Sequence, residues 1–186
     1  KAAFSFIHFP ENVKKFRIDT TRVVLGGYSY GGGMALTFAA EHPEIKRIIT
    51  IAGNDHGAFM KEYGNDLKLK EFIDELFSRL RAPGGPVRFA RGGTPAEVAE
   101  LKILEQNPKY DLVKMAPSLA DKDILLIGGW DDEQVKIENN ILPFYRALKR
   151  ENSKNVSMVA YPDTHSFKNS RPAIANKIIE WIKTVR

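Results

Sequence analysis

Cysteine is absent from all 186 residues. That removes disulfides, thiolate metal sites and a cysteine nucleophile together. It leaves the compartment open, because a reducing cytosol and an oxidising periplasm both accept such a chain. No apolar run approaches the roughly 20 residues that a membrane-spanning helix needs. The start, Lys1-Ala2-Ala3-Phe4-Ser5-Phe6-Ile7, carries neither an initiator methionine nor a signal-peptide pattern. Charge of one sign does not dominate, since 28 Lys and Arg stand against 23 Asp and Glu. The two signs interleave, and no basic run alternates with aromatics as a nucleic-acid groove requires, so nucleic acid is not an expected partner. Internal repeats and low-complexity segments are lacking too. What is there, 43% hydrophobic and 27% charged residues, suits one globular domain.

Four short apolar runs read as buried strands: Val23-Val24-Leu25, Ile48-Ile49-Thr50-Ile51, Ile124-Leu125-Leu126-Ile127 and Val156-Ser157-Met158-Val159-Ala160. Helical patterns separate them. The first residues suggest an amphipathic helix closed by Pro10. Met34 to Glu41 reads as a helix stopped at His42-Pro43, and Asn140–Arg150 and Pro172–Val185 repeat apolar residues at three- and four-residue spacing. Strand–helix–strand alternation predicts an α/β fold with a mostly parallel sheet flanked by helices.

Residues 54–117 form a long insertion between the second and third strands. Leu69, Phe72, Ile73, Leu76, Phe77 and Leu80 mark one face of a helix that Ala82-Pro83-Gly84-Gly85-Pro86 breaks. A further helix is expected from Thr94-Pro95-Ala96-Glu97, where the threonine caps and the glutamate returns the hydrogen bond. The insertion reads equally as extra helical packing and as a lid over a pocket.

Gly27-Tyr28-Ser29-Tyr30-Gly31 follows the first strand and opens a helix near Met34. A G-x-S-x-G turn in that setting holds a serine on a tight bend with its hydroxyl above the strand ends. Glycines at 27 and 31 are expected because side chains there would clash across the turn. The bare pattern arises by chance in about one chain in twenty of this length, so its value lies in its context. A serine nucleophile needs a base, and the base needs a carboxylate. Among four histidines, His165 sits best, in the loop after the last strand; His56, after the second strand, is the rival. The carboxylate should follow the third strand, where Asp131, Asp132 and Glu133 are all close enough. These acids include no histidine among them, so no metal site is expected.

Three segments now carry a resemblance: Gly-Tyr-Ser-Tyr-Gly-Gly at 27–32, Gly-Gly-Trp-Asp-Asp-Glu-Gln-Val at 128–135 and Tyr-Pro-Asp-Thr-His-Ser-Phe at 161–167. Together the chain resembles the C-terminal portion of an α/β-hydrolase, in the branch of prolyl oligopeptidase-type peptidases and dienelactone-hydrolase-like esterases. The family's spacing selects Asp132, with Asp131 second. The resemblance implies a serine hydrolase acting on an ester, thioester or amide of a small molecule or peptide, without a cofactor. Ser29 would attack, His165 would move the proton and Asp132 would hold the imidazole. The Tyr30 N–H would be one oxyanion donor, worth roughly 3 kcal/mol. Tyr28 and Trp130 would line the substrate site. The alternatives are a prolyl oligopeptidase-type peptidase and a non-catalytic binding module. The fold normally places four more strands upstream, whereas 22 residues precede Val23. The expectation is therefore a partial hydrolase domain over 1–186, poorly active without a missing N-terminal half.

Overall fold

The computed structural model describes residues 2–82, 84 and 103–185. Four strands, β1 (Leu25–Tyr28), β2 (Arg47–Ile51), β3 (Asp123–Gly129) and β4 (Val156–Tyr161), lie side by side in chain order. All are parallel, with Tyr28 opposite Ile51, Ile51 opposite Ile127 and Gly129 opposite Tyr161. Two short helices, α1 (Ala2–His8) and α2 (Pro10–Phe16), precede the sheet. The first crossover is α3 (Tyr30–Ala40). The second includes α4 (His56–Asn65), α5 (Leu67–Arg81), α6 (Ile103–Gln106) and α7 (Leu112–Leu119). The third is α8 (Leu142–Arg150), and α9 (Arg171–Thr184) follows β4.

The two-residue period of a strand builds two layers from one run. Ile124 and Leu126 of β3 face Leu36 of α3, Leu112 and Leu119 of α7, and Phe144 and Leu148 of α8. Leu125 and Ile127 face Phe167 and, on α9, Ile174 and Trp181. Each such side chain contributes roughly 1.5–3 kcal/mol by leaving water. A separate cluster, Met60, Tyr63, Leu69 and Ile73, joins α4 to α5 away from the sheet.

Several elements differ from the sequence reading. The first strand is Leu25–Tyr28, two residues later than its apolar run, because pairing begins at Leu25 opposite Ile48. Val23 instead ends a 3₁₀ turn, Thr20–Arg22. Helix α3 starts at Tyr30 rather than Met34, so a run of glycines is helical against its propensity. Close packing outweighs that cost: a Cβ on Gly33 would lie 2.1 Å from the Asn54 carbonyl oxygen. Pro10 opens α2 as well as following α1, since its missing N–H is harmless in a first turn. The segment before α8 is a π turn, Ile137–Ile141, ahead of Pro143, which has no N–H to return to the preceding turn. On α5, Phe72 is 37% exposed while Leu69 and Ile73 are buried, so the apolar stripe is narrower than expected. The helix expected at 94–97 lies outside the described residues.

Candidate active site

Parallel strands end at one edge of the sheet, and the loops beyond those ends gather the polar side chains of interest. Ser29 leaves β1 with φ 54° and ψ −126°, a conformation few non-glycine residues adopt. The bend is held from both sides. The Ser29 N–H donates to the Ile51 carbonyl at 2.8 Å, and its own carbonyl accepts from the N–H groups of Gly32 and Gly33 at 2.9 and 3.3 Å. A Cβ on Gly27 would lie 2.1 Å from the Gly31 carbonyl oxygen, so glycine is required there. At Gly31 nothing lies within 4 Å of a built Cβ, so the clash expected at that position is absent. The N–H of Tyr30 heads α3 and has no intrahelical acceptor, as in any first turn.

The Ser29 Oγ is 2.9 Å from His165 Nε2, and His165 Nδ1 is 2.7 Å from Asp132 Oδ2. Asp132 is buried, and its other oxygen accepts from the N–H groups of Gln134 and Val135, each at 2.9 Å. That arrangement leaves Oδ2 for the imidazole and fixes the Nδ1–H tautomer, with Nε2 toward the serine. Asp131 and Glu133 are exposed and do not contact His165.

A cavity of about 300 Å³ opens beside Ser29. Phe59 and Met60 of α4, Ile73, Leu76 and Phe77 of α5, and Leu104 of α6 supply its apolar wall, with Asn54, His56, Gln134 and Val135 at its sheet side. His56, the rival base, hydrogen-bonds the Tyr30 carbonyl at 3.3 Å through Nε2 and packs tilted against the Tyr30 ring, with centroids 4.3 Å apart and the planes at 57°. Burial pushes its pKa down to about 4, so the ring is neutral near pH 7. Ser29, Tyr30, Asp132 and His165 thus converge.

Tyr28 and Trp130 do not line this cavity. Tyr28 donates through its hydroxyl to the His165 carbonyl at 2.8 Å, and Trp130 is 58% exposed. Two residues escaped the sequence reading. Asp163, buried, accepts from the N–H groups of Thr164, Asn169 and Ser170 at 2.8–2.9 Å and orders the loop carrying His165. Its place two residues before the histidine was the available signal. Lys136 sits 2.8 Å from Glu62 and 2.9 Å from Asp66, tying the α4–α5 junction to the Asp132 loop. Among the described residues, no group of His, Asp and Glu could hold a metal, and no helix is long and apolar enough to cross a membrane.

Comparison with solved structures gives the same fold. An acylaminoacyl peptidase of Pyrococcus horikoshii is similar with a TM-score of 0.62 at 19% identity, over 92% of this chain and 26% of that one. For an esterase of Pyrococcus furiosus the values are 0.53 and 21%, over 87% and 53%. For a monoacylglycerol lipase of Paleococcus ferrophilus they are 0.56 and 16%, over 97% and 73%. The shared feature at such identities is the α/β-hydrolase fold. This chain spans about half the length of the esterase and about a quarter of the peptidase. No curated protein matches its sequence. The family model described as BAAT / Acyl-CoA thioester hydrolase C terminal matches residues 12–168. As that match runs from α2 to the loop beyond β4 and takes in most of the sequence, the chain belongs to the BAAT / Acyl-CoA thioester hydrolase C-terminal family.

Proposed function

We propose that the chain carries the acyl-transfer residues of a serine hydrolase that cleaves a carboxylic thioester or ester. The observation behind this reading is the unbroken line from Ser29 Oγ through both His165 nitrogens to Asp132, with contacts of 2.9 and 2.7 Å. Ser29 Oγ attacks the carbonyl carbon while its proton passes to His165 Nε2. Buried Asp132 stabilises the imidazolium that forms. The Tyr30 N–H, at the positive end of α3, donates to the oxyanion. Collapse of the tetrahedral species expels the leaving group, which takes the proton from Nε2, and leaves Ser29 acylated. Water, deprotonated by the same nitrogen, then releases the acid and restores the serine.

Substrate choice follows from the cavity wall. The apolar side chains of α4 and α5 suit a hydrocarbon acyl group, at about 0.8 kcal/mol for each methylene buried. These two helices would act as the cover over the acyl chain. A thioester is the easier substrate, since a thiol with a pKa of about 8.5 is a better leaving group than an alcohol. The matched family's description names acyl-CoA thioesters, consistent with that order of reactivity.

Treatment with a fluorophosphonate, followed by intact-mass measurement, tests the reading. One adduct on Ser29, lost in Ser29→Ala together with thiol release from an acyl thioester, is expected. Thioester cleavage that persists undiminished in Ser29→Ala would overturn it.

A further inference from the structure

Asp163 binds in two directions. Its buried carboxylate spans the loop that carries His165, accepting from the Thr164 N–H at one end and from the Asn169 and Ser170 N–H groups at the other. Its backbone faces the loop that carries Asp132. There the Asp163 carbonyl accepts from the Asp131 N–H at 3.1 Å, one residue before the acid. A Cβ on Gly129 would lie 2.5 Å from that carbonyl oxygen and 3.4 Å from the Asp132 Cβ, so the exit of β3 is packed between the two aspartates. None of these bonds involves Ser29 or the imidazole.

The loop needs such a tie. Phe167, two residues beyond His165, has φ 48°, a left-handed conformation that is unfavourable for a side chain of this size. Its ring is buried with Leu125 and Ile127 of β3, which holds it there. The Phe167 N–H donates to the Thr164 carbonyl at 3.0 Å, and the Ser170 N–H, at 3.2 Å from the Phe167 carbonyl, is nearer to the Asp163 carboxylate at 2.8 Å. Without that carboxylate, two of the bonds that close the loop over the strained residue are lost with the one to Thr164. His165 sits inside this closed loop, and a buried ionised group is kept only where its bonds compensate for lost water.

From this arrangement we propose that Asp163 is a positioning residue: it holds the His165 loop and the Asp132 loop against each other and so sets the 2.7 Å contact between His165 Nδ1 and Asp132 Oδ2. The inference rests on the acyl-transfer reading above. Asp163 acts through His165 and does not touch the cavity beside Ser29. Its effect therefore falls on the step in which the imidazole moves a proton, and not on substrate binding. A misplacement of about 1 Å at such a site costs on the order of 100-fold in rate.

Asp163→Asn tests this on the intact protein, since it keeps the shape of the side chain and replaces one acceptor oxygen by an NH₂ group that faces N–H donors. The kcat for an acyl thioester and the rate of fluorophosphonate labelling at Ser29 should both fall at least tenfold, with KM within about twofold of wild type. Nitrogen-15 NMR of the imidazole, assigned through His165→Gln, should show the Nδ1–H tautomer in the wild type and a mixture of both tautomers in the variant. Asp163→Ser, which retains one hydroxyl acceptor, gives the same reading should the asparagine disturb folding. A lower urea midpoint with kcat, labelling rate and tautomer unchanged means that Asp163 serves stability only, and overturns the proposal. A rise in KM alone overturns it too, because it places the residue against the substrate. Should the wild type neither label nor cleave a thioester, the acyl-transfer reading has failed separately. The tautomer then decides: a mixture in the variant supports the positioning role, and the same tautomer in both proteins overturns it.

Discussion

The Tyr28 hydroxyl donates to the backbone carbonyl of His165 at 2.8 Å, so the residue before Ser29 also anchors the loop that carries the histidine. One residue of β1 thereby ties two points of the site that stand far apart in sequence. The rings of Tyr28 and His165 lie 5.1 Å apart, a second contact between the same residues. Tyr28→Phe keeps the ring and removes the hydrogen bond, worth about 1 kcal/mol. The expected result is a roughly fivefold fall in kcat with KM unchanged. A rise in KM alone would mean that Tyr28 touches the substrate instead.

His56 predicts a pH dependence of stability. The folded chain keeps this imidazole neutral, with its pKa pushed down by burial from 6.5 to about 4. The unfolded chain binds the proton first as pH falls. The contribution is therefore complete above about pH 6.5 and is lost as pH falls toward 4. The full change is about 3 kcal/mol. His56→Gln removes the titration and keeps a donor for the Tyr30 carbonyl. Urea unfolding at pH 7 and pH 4 should show the difference between wild type and variant shifting by that amount against the wild type. A constant difference would place the histidine in contact with water.

Lys136 is held well above its usual range by its contacts with Glu62 first and Asp66 second. Its side chain is mostly buried, and Glu62 is more so. Lys136→Met leaves the Glu62 carboxylate without its cation and should cost about 2 kcal/mol in urea unfolding, a figure below that for a fully buried pair because part of the bridge is wet. Adding Glu62→Gln should recover part of the loss. Equal stability of Lys136→Met and wild type would show that solvent already screens the pair.

The two motif glycines should respond differently to alanine. Gly27→Ala drives a methyl into the Gly31 carbonyl and should prevent the turn from forming, seen as loss of fluorophosphonate labelling at Ser29. Gly31→Ala meets open space within α3 and should stabilise the chain by about 0.5–1 kcal/mol. Loss of labelling in both variants would show that the turn needs small residues on either side of the serine.

Much of this site was legible from local chemistry. Strand–helix alternation gave the α/β class, the G-x-S-x-G turn and the loop after the last strand pointed to Ser29 and His165, and the resemblance to α/β-hydrolases implied Asp132; the fold brings these three side chains together. Glycine and proline act within a few residues, so their effects can be read in a short window. Even there the starts of β1 and α3 were misplaced, because pairing with Ile48 and packing against the Asn54 carbonyl decide them. The remainder depended on contacts with no local signature. Asp132 and Asp131 are equal by proximity, and only the fold buries one beside His165 while leaving the other exposed. His56 read as a rival base, and only the fold buries it against Tyr30, beside a cavity walled by α4 and α5. The hydroxyl of Tyr28 and the ammonium of Lys136 found partners 137 and 70 residues away. Sequence determines what each segment prefers to be, through periodicity and backbone freedom; which side chains meet across a parallel sheet is decided by register and crossover packing, which exist only once the chain has folded.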